Sequence, residues 1–193
     1  MLTIIQRDDS GYYLIRIIVR GAGRLLASNN ERLFVITRLQ TLLEYRARVS
    51  TIPLYRQLST CIDLLAYHIS GEEISLVLFS LSKPAINELL RELLDGLREY
   101  RYSYGQVTMP RFHQIVTKLA GPHDCLAATV SVHTAAKDWE NTRYTRIGFY
   151  VDERRGDWMR IWRMSTIFEE SAEKYRALLY AHIASKKSYA PAM

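Results

Sequence analysis

Residues Cys61 to Pro84 read CIDLLAYHISGEEISLVLFSLSKP, two apolar runs hinged at Ser70-Gly71-Glu72. Apolar and β-branched residues on either side of a short polar turn make a pair of strands. In the second, Glu73 to Leu81, alternation sends Glu73, Ser75 and Val77 to one face and Ile74, Leu76 and Leu78 to the other. A carboxylate and a hydroxyl side by side on an otherwise apolar central strand are costly unless something solvates or uses them. That face is the first place to look for function.

The elements around this pair follow from local signals. Tyr12 to Arg20 alternates as a strand, with Tyr13, Ile15, Ile17 and Val19 on one side and Leu14, Arg16, Ile18 and Arg20 on the other. Gly21-Ala22-Gly23 ends it; the pair lacks the spacing of a dinucleotide fingerprint and no Gly-Lys-Ser follows, so it reads as a turn. Ser28-Asn29-Asn30-Glu31 is a capping signal, and the helix it opens carries Leu33, Ile36, Leu39, Leu42 and Leu43 at helical spacing. A second helix starts at Ser82-Lys83-Pro84, with the stripe Ile86, Leu89, Leu90, Leu93, Leu97 and Tyr100.

Strand, helix, strand, strand, helix is the opening of a ferredoxin-like αβ sandwich, an α+β fold with two helices packed on an antiparallel sheet. The closing strand is expected within Tyr102–Met109. Beyond Pro110 the pattern reads as helical, over Phe112–Ala120, Asp124–Ala136 and Glu169–Ser185, with a loop at Val151–Gly156. The expected organisation is a ferredoxin-like core over 1–110 and a C-terminal helical extension over 111–193 packed on the same domain. The 193 residues suit that size.

Charge narrows the partner. Net charge is +6, with 20 arginines against 6 lysines. Residues 1–100 carry a net +1 and residues 101–193 a net +5. Arginine forks grip phosphate bidentately and stack on bases, so this balance leans toward nucleic acid. A basic protein without such a role has the same composition. No apolar run approaches the ~20 residues of a membrane span, and the N-terminal patch meets Asp8 and Asp9 too soon for a signal peptide. Cys61 and Cys125 match no metal spacing and read as free thiols of a cytoplasmic protein. His68, His113, His123, His133 and His182 show no ligand spacing, and no nucleophile-elbow pattern accompanies them.

With its elements in this order the chain resembles the REP-associated tyrosine transposases of the HUH single-strand transposase superfamily. Ala66-Tyr67-His68-Ile69-Ser70-Gly71-Glu72-Glu73-Ile74-Ser75-Leu76-Val77-Leu78 runs without a gap through a family frame resembling A-Y-x-x-M-P-N-H-x-H-L-L-L. Val19-Arg20-Gly21 with Arg24-Leu25-Leu26 resembles the R-G-x-x-R-x-x-F continuation of the first strand, and Asn29-Asn30-Glu31-Arg32 the start of its first helix. Asp138-Trp139-Glu140-Asn141-Thr142-Arg143-Tyr144 is similar to D-W-x-x-S-S-Y. Asp157-Trp158, Met164 to Phe168 and Ala172 to Leu178 are similar to the runs that follow it. The resemblance spans about residues 13 to 180.

The departures matter most. The family's two metal-holding histidines fall on Glu73 and Ser75. A pattern like C-L-x-Y-I-x-L-N-P falls on Cys125-Leu126-Ala127-Ala128-Thr129-Val130-Ser131 and puts the nucleophilic tyrosine position at Ala128. Phosphotyrosine chemistry needs a metal on the scissile phosphate and a nucleophile in line with it. The expectation is therefore a catalytically inactive, transposase-derived protein with no metal and no other cofactor, binding hairpin or single-stranded DNA or RNA in a regulatory role.

The resemblance implies nucleic-acid contacts from Arg16, Arg20 and Arg24, on and just after the first strand. The composition of the Arg98–Tyr104 run adds Arg101 and Tyr102, and a third cluster adds Arg143 and Arg146. Members of the family work as monomers or homodimers, and both stay open. Two rival readings remain: a metal-dependent nuclease rebuilt around Glu73, and a protein-interaction module without nucleic acid.

Overall fold

The computed structural model describes residues 9–19, 26–44, 50–105, 110–135, 145–147 and 181, the strand at 145–147 as backbone. Among the described residues nine elements follow one another: β1 (Gly11–Val19), α1 (Asn29–Leu43), α2 (Pro53–Cys61), β2 (Ile62–Ile69), β3 (Glu73–Ser80), α3 (Lys83–Ser103), β4 (Phe112–Lys118), α4 (Pro122–His133) and β5 (Thr145–Ile147). The strands form one antiparallel sheet in the order β4-β1-β3-β2-β5. Its first four places have the order of a ferredoxin-like sandwich, and β5 extends the sheet beyond β2. The fold is α+β, as the element order implied.

The sheet divides two cores. Toward α1, α2 and α3 point Tyr13, Ile15 and Ile17 of β1 and Ile74, Leu76 and Leu78 of β3, packed with Val35, Leu39, Ile86, Leu89 and Leu93. This is the expected register of β3, since a slip of one residue would have moved Ile74, Leu76 and Leu78 to the opposite face. Toward α4 lie Leu65, Ala66, Val77, Cys125, Ala128, Val130 and Val132, with Tyr12 and Leu14 packed against them. An irregularity between Leu64 and Ala66 shifts the phase of β2. Tyr67 and Ile69 thereby join the face of Leu64, and His68 takes the face of Ser75.

Both helix starts were readable. Ser28 caps α1 in a full capping box with Glu31, and Ser82 caps α3. α1 is rotated from its expected face: Val35, Leu39, Leu42 and Leu43 are buried, while Leu33 and Ile36 are only half-buried. The short α2, which lacks a side-chain cap, was not anticipated.

The closing strand is a correction. Tyr102 and Ser103 continue α3, which ends where Gly105 adopts φ +73, a conformation other residues reach only with strain, and residues 106–109 lie outside the described residues. The strand is instead Phe112–Lys118, where a helix was expected, and it lies beyond residue 110 in the part assigned to the helical extension. Its Ile115-Val116-Thr117 run is β-branched and suits a pleated surface better than a helix. The expected helix over Asp124–Ala136 is α4. The expected Glu169–Ser185 helix falls outside the described residues apart from Ala181, which is helical, and the Val151–Gly156 loop lies wholly outside them. Among the described residues no helix is long and apolar enough to cross a membrane. Both cysteines are free.

Candidate nucleic-acid interface

The face of the sheet shared with α4 carries the polar positions of β3 at its open end. Arg16 of β1 is in register with Ser75 of β3, and Ser75 with His68 of β2. Glu73 lies one alternation further along and faces Ile18. Register therefore gathers Arg16, Glu73, Ser75 and His68 from three strands.

Their hydrogen bonds close on one another. The Arg16 guanidinium donates to both oxygens of Glu73, Nε to Oε1 at 2.7 Å and Nη2 to Oε2 at 2.9 Å. The Ser75 hydroxyl donates to the same carboxylate. The pair is reachable from solvent, with side chains 44% and 24% exposed, whereas Ser75 is buried.

Arg16 above all holds the Glu73 carboxyl below its ordinary range; partial burial opposes this and the Ser75 hydroxyl assists. The same hydrogen bonds raise the guanidinium pKa further. Burial lowers His68 from its ordinary value, with the Glu73 charge opposing, which leaves the ring neutral at pH 7. Among the described residues no cluster of three or more His, Cys, Asp or Glu is arranged to hold a metal ion.

The turn that opens β3 is fixed on both sides. Ser70 N donates to the Glu73 carbonyl at 2.8 Å, and its hydroxyl accepts from Glu73 N at 3.0 Å. Val19 N donates to the Glu72 carbonyl at 3.1 Å and Leu26 N to the Gly71 carbonyl at 3.0 Å. The two ends of the segment carrying Arg20 and Arg24 are thus tied to the turn beside Glu73. Arg20 and Arg24 themselves lie outside the described residues.

Ala128 is on α4, buried in the small core with Val77 and Cys125. Burial pushes the Cys125 thiol up to about 11, with the Thr129 hydroxyl opposing, so it stays protonated.

The other candidates separate. Arg101 is not a surface residue: it is 4% exposed, and its Nε donates to Glu31 Oε1 at 2.6 Å, with Glu31 only 2% exposed. Tyr102, the next residue, is 74% exposed. Tyr104 is exposed too, and the Tyr100 ring sits 4.5 Å from Phe34 and 4.8 Å from Tyr104. Arg143 lies outside the described residues. Arg146 is described in its backbone alone, paired opposite Tyr67.

The Arg16–Glu73 pair escaped the sequence because neither strand carries the register that joins them. Their shared alternation phase was readable; their adjacency was not. For Arg101 a signal was present. Leu90, Leu94, Leu97 and Arg101 follow at steps of four, three and four, which is the buried side of one helix.

No family model matches the sequence, and no curated protein matches it. Among solved structures the chain is similar to a REP-associated tyrosine transposase bound to a REP hairpin. The likeness has a TM-score of 0.45 and 10% identity, covering 71% of this chain and 76% of that one.

Proposed function

We propose that this chain is a nucleic-acid-binding protein on a transposase-type ferredoxin-like sandwich, devoid of strand-transfer chemistry. It holds hairpin or single-stranded DNA or RNA in a regulatory role. The observation that carries the reading is the closed Arg16–Glu73–Ser75 constellation. It stands where the sequence frame puts two metal-binding histidines. A carboxylate that belongs to no group of three or more His, Cys, Asp or Glu among the described residues is a poor site for a divalent cation. At the nucleophile position Ala128 offers only a methyl group inside a core. The net charge of +6, rich in arginine, supports a polyanionic partner. The exposed rings of Tyr102 and Tyr104 supply surfaces on which unpaired bases stack.

Anisotropy titrations with labelled hairpin, single-stranded and duplex oligonucleotides test this. Hairpins and single strands are expected to bind more tightly than duplex, with affinity falling steeply in salt. Replacing Arg20 and Arg24 by Gln together is expected to lower the slope of log affinity against log salt by about 1.4, two single-strand phosphate contacts at about 0.7 each. An unchanged slope would move the interface to Arg143 and Arg146. No covalent adduct is expected on a denaturing gel with Mg²⁺ or Mn²⁺. An adduct would restore the enzyme reading, and absence of binding at low salt would leave the protein-interaction module.

A further inference from the structure

We infer that Arg16 and Ser75 form a phosphate-recognising site on the open end of the sheet face, and that Glu73 occupies this site in the resting protein as a built-in competitor. The inference rests on the nucleic-acid reading above and assigns Glu73 a role within it: it sets how tightly the chain holds phosphate.

The geometry is that of oxyanion recognition. A guanidinium fork presents two parallel N–H donors to two oxygens of one anion, at 2.7 and 2.9 Å, and a hydroxyl from the neighbouring strand donates to the same anion. A phosphodiester, though tetrahedral, also offers two non-bridging oxygens to a bidentate fork, so the donors that hold Glu73 can hold it too. Register sets Arg16 and Ser75 opposite one another in adjacent strands, so the two donors remain neighbours on one face when the acceptor leaves. Glu73 is the first residue of β3, beside the turn, and its side chain is partly open to solvent.

The site is also reachable. With side chains 44% and 24% exposed, the ion pair contributes little to folding and is open to exchange with an anion from solution. A buried pair would exclude the competitor along with water. His68 adds no second cation at neutral pH, because burial keeps it neutral. Local charge therefore passes from zero to positive once Glu73 is displaced or neutralised.

The full-length protein carrying Glu73→Gln tests the assignment, since glutamine keeps the shape of the side chain and removes its charge; Glu73→Ala provides a second variant. With a labelled single-stranded oligonucleotide, Glu73→Gln is expected to bind about fivefold more tightly than wild type. Its salt slope should be steeper by about 0.7, one added phosphate contact. Adding Arg16→Gln should cancel both gains. A second readout needs no nucleic acid: inorganic phosphate, against chloride at matched ionic strength, should raise the unfolding midpoint of Glu73→Gln but not of Glu73→Gln with Arg16→Gln.

Equal affinity and slope in wild type and both Glu73 variants would overturn the inference and leave the nucleic-acid reading standing. A gain that survives Arg16→Gln would overturn it too, reducing Glu73 to a general electrostatic effect. Arg16-dependent stabilisation by phosphate without oligonucleotide binding would support the anion site while removing the nucleic-acid reading.

Discussion

Two Arg–Glu pairs in this molecule share their chemistry and differ in everything else. Arg101 and Glu31 are 4% and 2% exposed and join the last turn of α3 to the first turn of α1. Glu31 uses its other oxygen to close the capping box on Ser28 N at 3.0 Å. Arg16 and Glu73 are 44% and 24% exposed and lie on the sheet surface. In the first pair both charges have left water, and neither can lose its partner without a large penalty. In the second, water competes for each charge, and the pair is worth about 0–1 kcal/mol. Burial, and not the identity of the residues, decides which pair is a structural lock and which is an exchangeable contact.

The comparison can be broken most directly at Arg101. Arg101→Ala leaves Glu31 buried without its cation and is expected to cost about 3–5 kcal/mol in urea denaturation. A loss below about 1 kcal/mol would mean that the two pairs do not differ as described. Arg101→Met combined with Glu31→Gln removes both charges, keeps the volume and retains a residue able to complete the capping box. It is expected to fall within about 1–2 kcal/mol of wild type. If the double variant is as unstable as Arg101→Ala, the penalty comes from packing and not from the stranded charge.

Arg16→Ala should cost less than about 1 kcal/mol by the same measurement. The smallest effect concerns pH. Glu73 lies below its ordinary value of 4.5, mainly through the Arg16 hydrogen bonds. Its contribution is therefore complete above that value and is lost as pH falls through the lowered one. The stability difference between wild type and Glu73→Gln should be a few tenths of a kcal/mol near neutrality and vanish once the pH has fallen through the lowered Glu73 value. A difference that grows on acidification would contradict the pairing.

What the sequence disclosed was the local part. Ser28 with Glu31, Ser82 with Pro84, and the hinge at Ser70-Gly71-Glu72 each set an element boundary through neighbours in the chain. The alternation of β3 placed Glu73 and Ser75 on the face where they are found. What stayed hidden depends on distance along the chain. Arg16 and Glu73 are 57 residues apart, Glu31 and Arg101 70. Strand pairing and helix docking bring each couple together, and no local pattern records either. The misreading of Tyr102 to Met109 had a different cause: tyrosines favour strands on average, and the continuing helical stripe through Leu97 and Arg101 overrode that preference. One residue's advance along a helix then put Arg101 inside and Tyr102 outside.

The interior place of β1 in the sheet bears on how the chain comes off the ribosome. Its two neighbours in the sheet, β3 and β4, begin at Glu73 and Phe112, so β1 has both edges bare until those segments exist. The strand reads GYYLIRIIV, and a bare apolar strand of this kind invites pairing with another nascent chain. A single cation interrupts the run, at Arg16. A charge in that position is of the gatekeeper kind, since two copies paired in parallel register would bring like charges together. Arg16 would then guard solubility during synthesis and hold the competitor afterwards, and replacing it by a neutral residue should lower soluble yield more than it lowers the stability of the finished protein.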